Sequence, residues 1–419
     1  MSAELICVIV LGLMFVIGTW RDINMGLLGF IAAAGVGGLV LHQAPEEFLS
    51  GFPVDLFLTL VGLTYLFGFA QNNGVIEVIV HWCVKLVGGR TAVMPWIFFA
   101  LTAILIALGA LFAVAIIAPL ALTFARRNGV NQFMTGLLVV HGALAGAFSP
   151  ISVYGIFIND YLAKSGLTPT PVSLFLAPFL FNLVFALVVY LVLRNRSGLR
   201  AAEDTALSTS ESEPEESPRL SRNQIPTLVG LVAMAVSVVV FGWDVGLVTI
   251  TISIVLAAIS PSAGKAAMSR VSWSVVILIT GVLTYIAVLE EAGTVEWVSA
   301  GISAIGIPLL AALLLFYMSG LISALASSLA IIGVVIALAV PFLESGDVHV
   351  GGFVAALAIA ATIVDISPFS TNGAMLLANV HPTVRDRYYR QMIGYAGLMC
   401  LIGPGLAWVV AAVPTWVTA

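Results

Sequence analysis

The chain has 419 residues, of which 61% are hydrophobic and 9% are charged, and its formal net charge is −5. Soluble domains carry about 25% charged residues, so this composition excludes an ordinary soluble protein and indicates a protein of the lipid bilayer. The small acidic excess offers no basic surface for nucleic acid, and Cys7, Cys83 and Cys400 are too widely separated to suggest a disulfide framework or a metal site.

Apolar runs follow one another along the whole chain. They cover residues 4–19, 24–41, 54–71, 91–125, 132–158, 171–193, 224–241, 245–260, 273–289, 297–343, 350–380 and 391–413. A membrane span needs about 20 residues, so the run at 91–125 is too short for two crossings and a turn. Arg90 and Arg126 lie at its two ends, and positive charge favours the cytoplasmic side, so we predict a re-entrant hairpin. The run at 297–343 is the predicted counterpart from the other face.

The distribution of basic residues favours about ten spans and two hairpins, with both termini on the periplasmic or extracellular side. In that topology every one of the 16 lysine and arginine residues except Lys164 lies on the cytoplasmic side. The first apolar run has no signal-peptide cleavage pattern and is interpreted as a retained helix. The sequence therefore predicts an all-helical, multi-pass protein of a bacterial-type inner membrane.

The chain divides into two related halves. Matches such as Thr64-Tyr65 with Thr284-Tyr285 recur at offsets of 217 to 220 positions, and an odd number of crossings in the first half would invert the second. Residues 195–223 form a polar segment with too little apolar surface to fold, and it is predicted to be a disordered cytoplasmic linker. Each half is predicted to begin with scaffold spans, at 1–90 and 224–305, which end in an interfacial amphipathic helix at 75–88 and 294–304. Each half then continues with a hairpin and transport spans, at 91–194 and 306–419.

A Ser-Pro motif occurs at matching positions in both halves. Residues 149–155 read SPISVYG, and residues 367–373 read SPFSTNG, 218 positions later. A serine hydroxyl can cap a helix and proline suits its first position, so we predict that a membrane helix breaks and restarts at Ser149-Pro150 and at Ser367-Pro368. The N-terminus of each restarted helix attracts anions, and paired breaks of this kind indicate a transporter's substrate site.

No lysine or arginine lies within a predicted span, so hydroxyls, amides and helix N-termini would have to hold a bound anion. An aromatic residue such as Tyr154 could equally serve packing. The predicted substrate-binding residues are Ser149, Ser152, Tyr154, Ser328, Ser367, Ser370, Thr371 and Asn372.

Asp365 is the acidic residue predicted near the middle of the membrane, where an unpaired charge is costly. It would need a cation or a proton, and carbonyls freed at helix breaks could complete such sites. The predicted cation-binding residues form one sodium site in each half, Gly109 with Gly146 and Ser149 in the first and Ser327 with Asp365 in the second, and no transition metal or organic cofactor is predicted. His141 is interpreted as a buried histidine bonded to a neighbouring carbonyl, with proton coupling as the alternative.

Residues 15–30, FVIGTWRDINMGLLGF, and 51–74, GFPVDLFLTLVGLTYLFGFAQNNG, resemble the N-terminal domain of the MatC-type malonate and dicarboxylate carriers. The likeness covers roughly the first 150 residues, and the whole chain is similar to the ion transporter superfamily that includes the divalent-anion/sodium symporters. The resemblance implies a homodimeric elevator that carries malonate, or a C4-dicarboxylate such as succinate or malate, with sodium. Those symporters have Ser-Asn-Thr at both hairpin tips, whereas this chain has Gly109-Ala110-Leu111 and Ser327-Ser328-Leu329.

Three other functions follow from the same residues. The transport of dicarboxylate could be coupled to protons or proceed by exchange, and a sodium/proton exchanger of the same superfamily would use Asp365 and His141. An intramembrane hydrolase would use Ser149 as nucleophile, but a proline follows it, no nucleophile elbow precedes it and no second carboxylate lies near His141. The sequence therefore predicts a carrier and not an enzyme.

Overall fold

The computed structural model describes residues 2–21, 23–76, 78–79, 82, 91–194, 224–304, 306–324, 327–344, 346 and 348–414, without the side chains of 239, 302 and 303. Cys83, the predicted linker at 195–223 and most of the predicted amphipathic segment at 75–88 lie outside these residues.

The described ranges contain nineteen α-helices and no strand. In the first half they are α1 (Ala3–Arg21), α2 (Met25–Leu39), α3 (Pro45–Leu49), α4 (Val54–Asn72), α5 (Met94–Ala107), α6 (Ala113–Arg127), α7 (Gln132–Gly146), α8 (Val153–Lys164) and α9 (Pro171–Leu193). In the second half they are α10 (Ile225–Val239), α11 (Val245–Ile259), α12 (Pro261–Met268), α13 (Trp273–Glu291), α14 (Thr294–Ser303), α15 (Pro308–Ser323), α16 (Ser328–Glu344), α17 (Val350–Thr362), α18 (Thr371–Ala378) and α19 (Arg385–Ala407).

Helix length distinguishes candidate membrane spans from shorter apolar helices. Among the described residues, five helical segments are long and apolar enough to cross a membrane: Ala3–Arg21, Val54–Asn72, Pro171–Leu193, Trp273–Glu291 and Pro382–Ala412. The two arms of the first hairpin have 14 and 15 residues. At 1.5 Å per residue each arm is about 20 Å long, against about 30 Å of hydrocarbon. These lengths fit a multi-pass protein in which some helices turn back or break inside the bilayer.

Each segment predicted as a hairpin contains two helices. Helix α5 ends at Ala107 and α6 begins at Ala113, and α15 ends at Ser323 and α16 begins at Ser328. The long apolar run at 297–343 is therefore divided, because α14 ends at Ser303 before α15 begins at Pro308. Helix α14 coincides with the amphipathic segment predicted at 294–304.

Four helices form a glycine-rich layer (α2, α4, α11 and α13). A Cβ on Gly281 of α13 would overlap the carbonyl of Gly26 in α2, and a Cβ on Gly62 of α4 would overlap the hydroxyl of Thr249 in α11. Glycine is required at these contacts because the backbones lie too close for a side chain. Helix α2 of the first half thus packs against α13 of the second, and α11 of the second half packs against α4 of the first.

The interrupted helices form a second unit around α7 and α17. Helix α7 lies so close to α5 that a Cβ on Gly142 would overlap the carbonyl of Phe99, and one on Gly146 would overlap that of Ala103. In the second half, α17 is buried along its length from Gly351 to Thr362. A helix that is apolar on all sides is enclosed by protein, and α9, α15 and α19 pack around α17.

Candidate functional site

The first break lies between α7 and α8, and its cap differs from the prediction. Helix α8 begins at Val153, and its N-cap is Ser152, whose Oγ accepts a hydrogen bond from Gly155 N at 3.1 Å. Ser149 lies before the helix, where its Oγ accepts a 3.4 Å bond from Ile151 N. Ser152 and not Ser149 is the cap because a cap oxygen reaches the amide three residues later. The Ser152 hydroxyl also donates towards the carbonyls of Ala147 (2.5 Å) and Ser149 (2.7 Å), which closes the turn.

The second break repeats these contacts 218 positions later. Helix α18 begins at Thr371 with Ser370 as its N-cap, which accepts from Gly373 N at 3.3 Å. The Ser370 hydroxyl donates towards the carbonyls of Asp365 (2.5 Å) and Ser367 (2.7 Å). Ser367 is therefore not the cap either. Its Oγ accepts from Phe369 N at 3.2 Å, so both prolines lie in the turn and not at the first helical position.

A glycine completes each break. A Cβ on Gly155 would overlap the carbonyl of Ser149, and a Cβ on Gly373 would overlap the carbonyl of Ser367. The turn therefore needs a serine as cap and a glycine three residues after it. This Ser-x-x-Gly spacing was the sequence signal for the true cap in both copies.

A cavity of about 590 Å³ lies between the breaks, the two hairpin tips and the ends of α1, α2 and α13. The predicted site residues that line it are Tyr154, Ser327, Ser328, Asp365, Ser370, Thr371 and Asn372. The predicted site residues that do not line it are Gly109, Gly146, Ser149, Ser152 and Ser367. The second half thus supplies most of the polar lining.

Four helix N-termini border this cavity. Helix α6 contributes Phe112, α8 contributes Tyr154, α16 contributes Ser328, and α18 contributes Thr371 and Asn372. The first amides of a helix have no partner within the helix, and each N-terminus carries about half a positive charge. None of the described lining residues is lysine, arginine or histidine. Positive potential in the cavity therefore comes from backbone and not from side chains.

Asp365 is the acidic side chain among the described lining residues. It is 6% exposed, and its Oδ1 accepts a 2.5 Å hydrogen bond from the hydroxyl of Ser328 at the start of α16. The hydroxyl of Ser323 at the end of α15 lies 2.9 Å from that of Ser328 and 2.5 Å from the carbonyl of Ala361. The hydroxyl of Ser328 thus donates to a buried carboxylate, and that of Ser323 contacts Ser328.

One wall of the cavity comes from residues that the sequence did not indicate. Thr19, Asn24 and Ser274 line it from the ends of α1, α2 and α13. Asn24 caps α2 by accepting from Gly26 N at 2.9 Å, and its Nδ2 donates to the carbonyl of Ser274 at 2.7 Å. Only the folded chain brings these residues together, because 250 positions separate Asn24 from Ser274.

His141 lies away from the cavity lining and is fully buried. Its Nδ1 is 2.9 Å from Oδ1 of Asn182, and its Nε2 is 2.8 Å from the hydroxyl of Tyr395. Both ring nitrogens therefore have partners, and the histidine joins α7 to α9 and α19. This placement agrees with the interpretation as a buried histidine bonded to a carbonyl oxygen.

Comparison with known proteins supports the resemblance found in the sequence. Residues 1–147 match the family model described as the N-terminus of the dicarboxylate carrier protein MatC. The fold is similar to the crystal structure of the YdaH transporter of Alcanivorax borkumensis, with a TM-score of 0.62 and 14% identity over 98% of both chains. A search of curated proteins gave no match. Both similar proteins are transport proteins, in agreement with the prediction that the chain is not an enzyme.

Proposed function

We propose, from the match of residues 1–147 to the dicarboxylate carriers, that this chain is a secondary active transporter for a small dicarboxylate. The cargo is malonate or a C4-dicarboxylate such as succinate or malate, the membrane is a bacterial inner membrane, and sodium is the coupling ion. The observation that carries the proposal is the cavity bordered by four helix N-termini with no basic side chain among its described lining residues.

A dianion suits this cavity for electrostatic reasons. Helix N-termini bind anions through unpaired amides and the helix dipole. Each half contributes two N-termini, and each such pair could bind one of the two carboxylates. Thr371 and Asn372 add side-chain donors beside the first amides of α18. The volume of about 590 Å³ lies within the range of about 300–1,000 Å³ that is usual for small-molecule sites.

The proposed cation neutralises Asp365. A buried carboxylate beside a dianion is strongly unfavourable without a positive charge, and no basic side chain is described in the cavity lining. Sodium prefers oxygen ligands, which the carboxylate and the hydroxyls of Ser327 and Ser328 provide. A proton on Asp365 would serve the same electrostatic purpose.

The proposed transport cycle is an elevator. The glycine-rich layer would remain fixed as the scaffold of a homodimer, while the two hairpins and the broken helices would move the cavity across the bilayer. The wall formed by Asn24 and Ser274 lies near Arg21 and Arg270, which the positive-inside rule assigns to the cytoplasm. We therefore expect this wall to lie on the cytoplasmic side of the cavity.

Uptake by proteoliposomes tests the function. Labelled malonate, succinate and malate are supplied separately under an imposed sodium gradient, an imposed proton gradient or neither. We expect saturable uptake of at least one dicarboxylate that the sodium gradient accelerates, with competition by other dicarboxylates and not by monocarboxylates. Sodium/proton exchange without uptake of any dicarboxylate would instead identify an exchanger.

A matched pair of asparagines on α18 tests the site. Asn372 lines the cavity at the start of the helix, whereas Asn379 caps its other end and bonds the carbonyl of Met375 at 2.8 Å. Asn372→Ala should raise the KM for dicarboxylate by about tenfold, because a hydrogen bond to a charged group contributes about 1.5–3 kcal/mol. Asn379→Ala should leave KM unchanged. Equal effects would place the substrate elsewhere.

A further inference from the structure

The two halves surround the cavity with unequal chemistry. In the second half, Asp365 and Thr362 lie at the end of α17, and Ser327 and Ser328 lie at the facing hairpin tip. The positions 218 residues earlier than Asp365 and Thr362 are Ala147 and Leu144, which also line the cavity. The first half thus has the same backbone break with hydrocarbon side chains where the second half has oxygen.

The first hairpin cannot supply the missing oxygen atoms from its side chains. Every residue from Ala103 to Leu122 is apolar, so the difference does not depend on how the two tips are aligned. At the tip, Gly109 has a φ of +109°, and a Cβ there would lie 3.1 Å from Leu63 and 3.4 Å from Phe67. The tip backbone therefore rests against apolar side chains of α4.

The backbone carbonyls at the first break already accept hydrogen bonds. The carbonyl of Gly146 accepts from Ser149 N at 3.2 Å, and that of Ala147 accepts from the Ser152 hydroxyl at 2.5 Å. The carbonyl of Ser149 accepts from both the amide and the hydroxyl of Ser152. A cation at the first break would meet no negative side chain and would compete with these hydrogen bonds for the carbonyl oxygens. Such a site is unfavourable because burying an uncompensated ion is costly.

We propose that the described residues form one coupling-cation site, at Asp365 and Ser328 in the second half, and that one monovalent cation accompanies each dicarboxylate. This inference rests on the proposed function and replaces the two-site expectation that included Gly109, Gly146 and Ser149. The cation is Na⁺ or H⁺. A dianion moving with one such cation carries a net charge of −1, so an inside-negative membrane potential opposes uptake.

The zero-flux potential of the full-length protein in proteoliposomes measures this stoichiometry. Equal concentrations of succinate are placed on both sides, an outside-to-inside sodium gradient of about tenfold is imposed, and the potential is set with potassium and valinomycin. A tenfold gradient is equivalent to about 59 mV for one charge. With one sodium ion per dianion, net flux should stop at about 59 mV inside negative. The same test with only a proton gradient of about tenfold identifies a coupled proton.

The possible results separate the two proposals. A zero-flux potential of about 59 mV inside negative under either gradient supports a single cation and names it. Flux that is independent of voltage, as two cations would give, or a zero-flux potential that is inside positive, as three would give, overturns the inference and leaves the dicarboxylate carrier intact. The absence of any dicarboxylate flux overturns the proposed function itself.

The dependence of initial rate on cation concentration gives a second readout, with a Hill slope of about 1 expected for one site and a slope near 2 contradicting it.

Discussion

The two helix breaks share their backbone and differ in their side chains. The cap hydroxyl donates to the carbonyl of Ala147 in the first half and to that of Asp365 in the second, at 2.5 Å in both. The same backbone position therefore carries a methyl group in one half and a carboxylate in the other. The shared backbone turn creates a helix N-terminus, and the side chain that differs between the halves determines whether a cation can be held.

This difference assigns separate tasks to backbone and side chain. Anion binding through helix N-termini requires only the turn, so both halves can contribute to it with different side chains. Cation coupling requires negative charge, which only Asp365 provides among the described lining residues. Substitutions at the two breaks should therefore have equal effects where they disturb the turn and unequal effects where they disturb the coupling.

The largest expected effect comes from removing the carboxylate. Asp365→Asn keeps the shape of the side chain but loses its charge, and removing one partner of a buried charge pair costs about 3–5 kcal/mol. We expect the cation-dependent component of uptake to fall by about 100-fold. Uptake is measured at a range of sodium concentrations and pH values. Unchanged sodium and pH dependence would remove Asp365 from the coupling scheme.

A matched carboxylate provides the control for that prediction. Asp244 caps α11 by accepting from Leu247 N at 2.8 Å, and it does not line the cavity. Asn is as good a cap as Asp, so Asp244→Asn should change neither folding nor cation dependence.

The next effect tests whether the two turns are equivalent. Gly155→Ala and Gly373→Ala each place a Cβ against a backbone carbonyl that cannot move without opening the turn. Overpacking of this kind costs about 1–3 kcal/mol, and we expect a similar loss of thermal stability in both variants. Gly394→Ala, at a position with open space around it, is the control. A loss confined to one of the two breaks would show that the halves do not share the same constraint.

A smaller effect concerns a contact of the first broken helix with the glycine-rich layer. The hydroxyl of Tyr161 in α8 donates to Oε1 of Glu290 in α13 at 2.8 Å. A hydrogen bond to a charged group contributes about 1.5–3 kcal/mol, and partial exposure places this one near the lower value, so Tyr161→Phe should reduce the free energy of unfolding by about 1.5 kcal/mol. Thermal unfolding in nanodiscs, with Glu290→Gln and the double variant, measures the coupling. Strictly additive losses would mean that the two side chains do not interact.

Two nearby ion pairs of Lys164 serve as the comparison for Tyr161. Nζ of Lys164, whose side chain is 47% exposed, lies 3.0 Å from Oδ2 of Asp160 and 3.4 Å from Oδ2 of Asp55, whose side chains are 28% and 81% exposed. Exposed pairs contribute about 0–1 kcal/mol, so Lys164→Met should change stability much less than Tyr161→Phe.

The sequence predicted the elements whose causes are local. Apolar run length, flanking charge and proline predicted where the chain divides into paired helices and where a helix breaks, and the depth of Asp365 in an apolar run marked it as a candidate functional residue. The cap was misassigned because SPIS and SPFS each contain two serines, and only the later one has a glycine three residues on. The wall at Asn24 and Ser274 could not be predicted, because it depends on how α2 packs against α13.

The smallest effect separates a capping role from a binding role. Ser152→Ala and Ser370→Ala each remove an N-cap hydroxyl, which costs about 1 kcal/mol, so their losses of thermal stability should be nearly equal. Ser370 lines the cavity and Ser152 does not, although both hydroxyls are engaged by the turn. If capping is their whole contribution, the KM for dicarboxylate should change by a similar factor in both variants. A rise in KM confined to Ser370→Ala would show that its hydroxyl leaves the turn to contact the substrate, and the two breaks would then differ in more than charge.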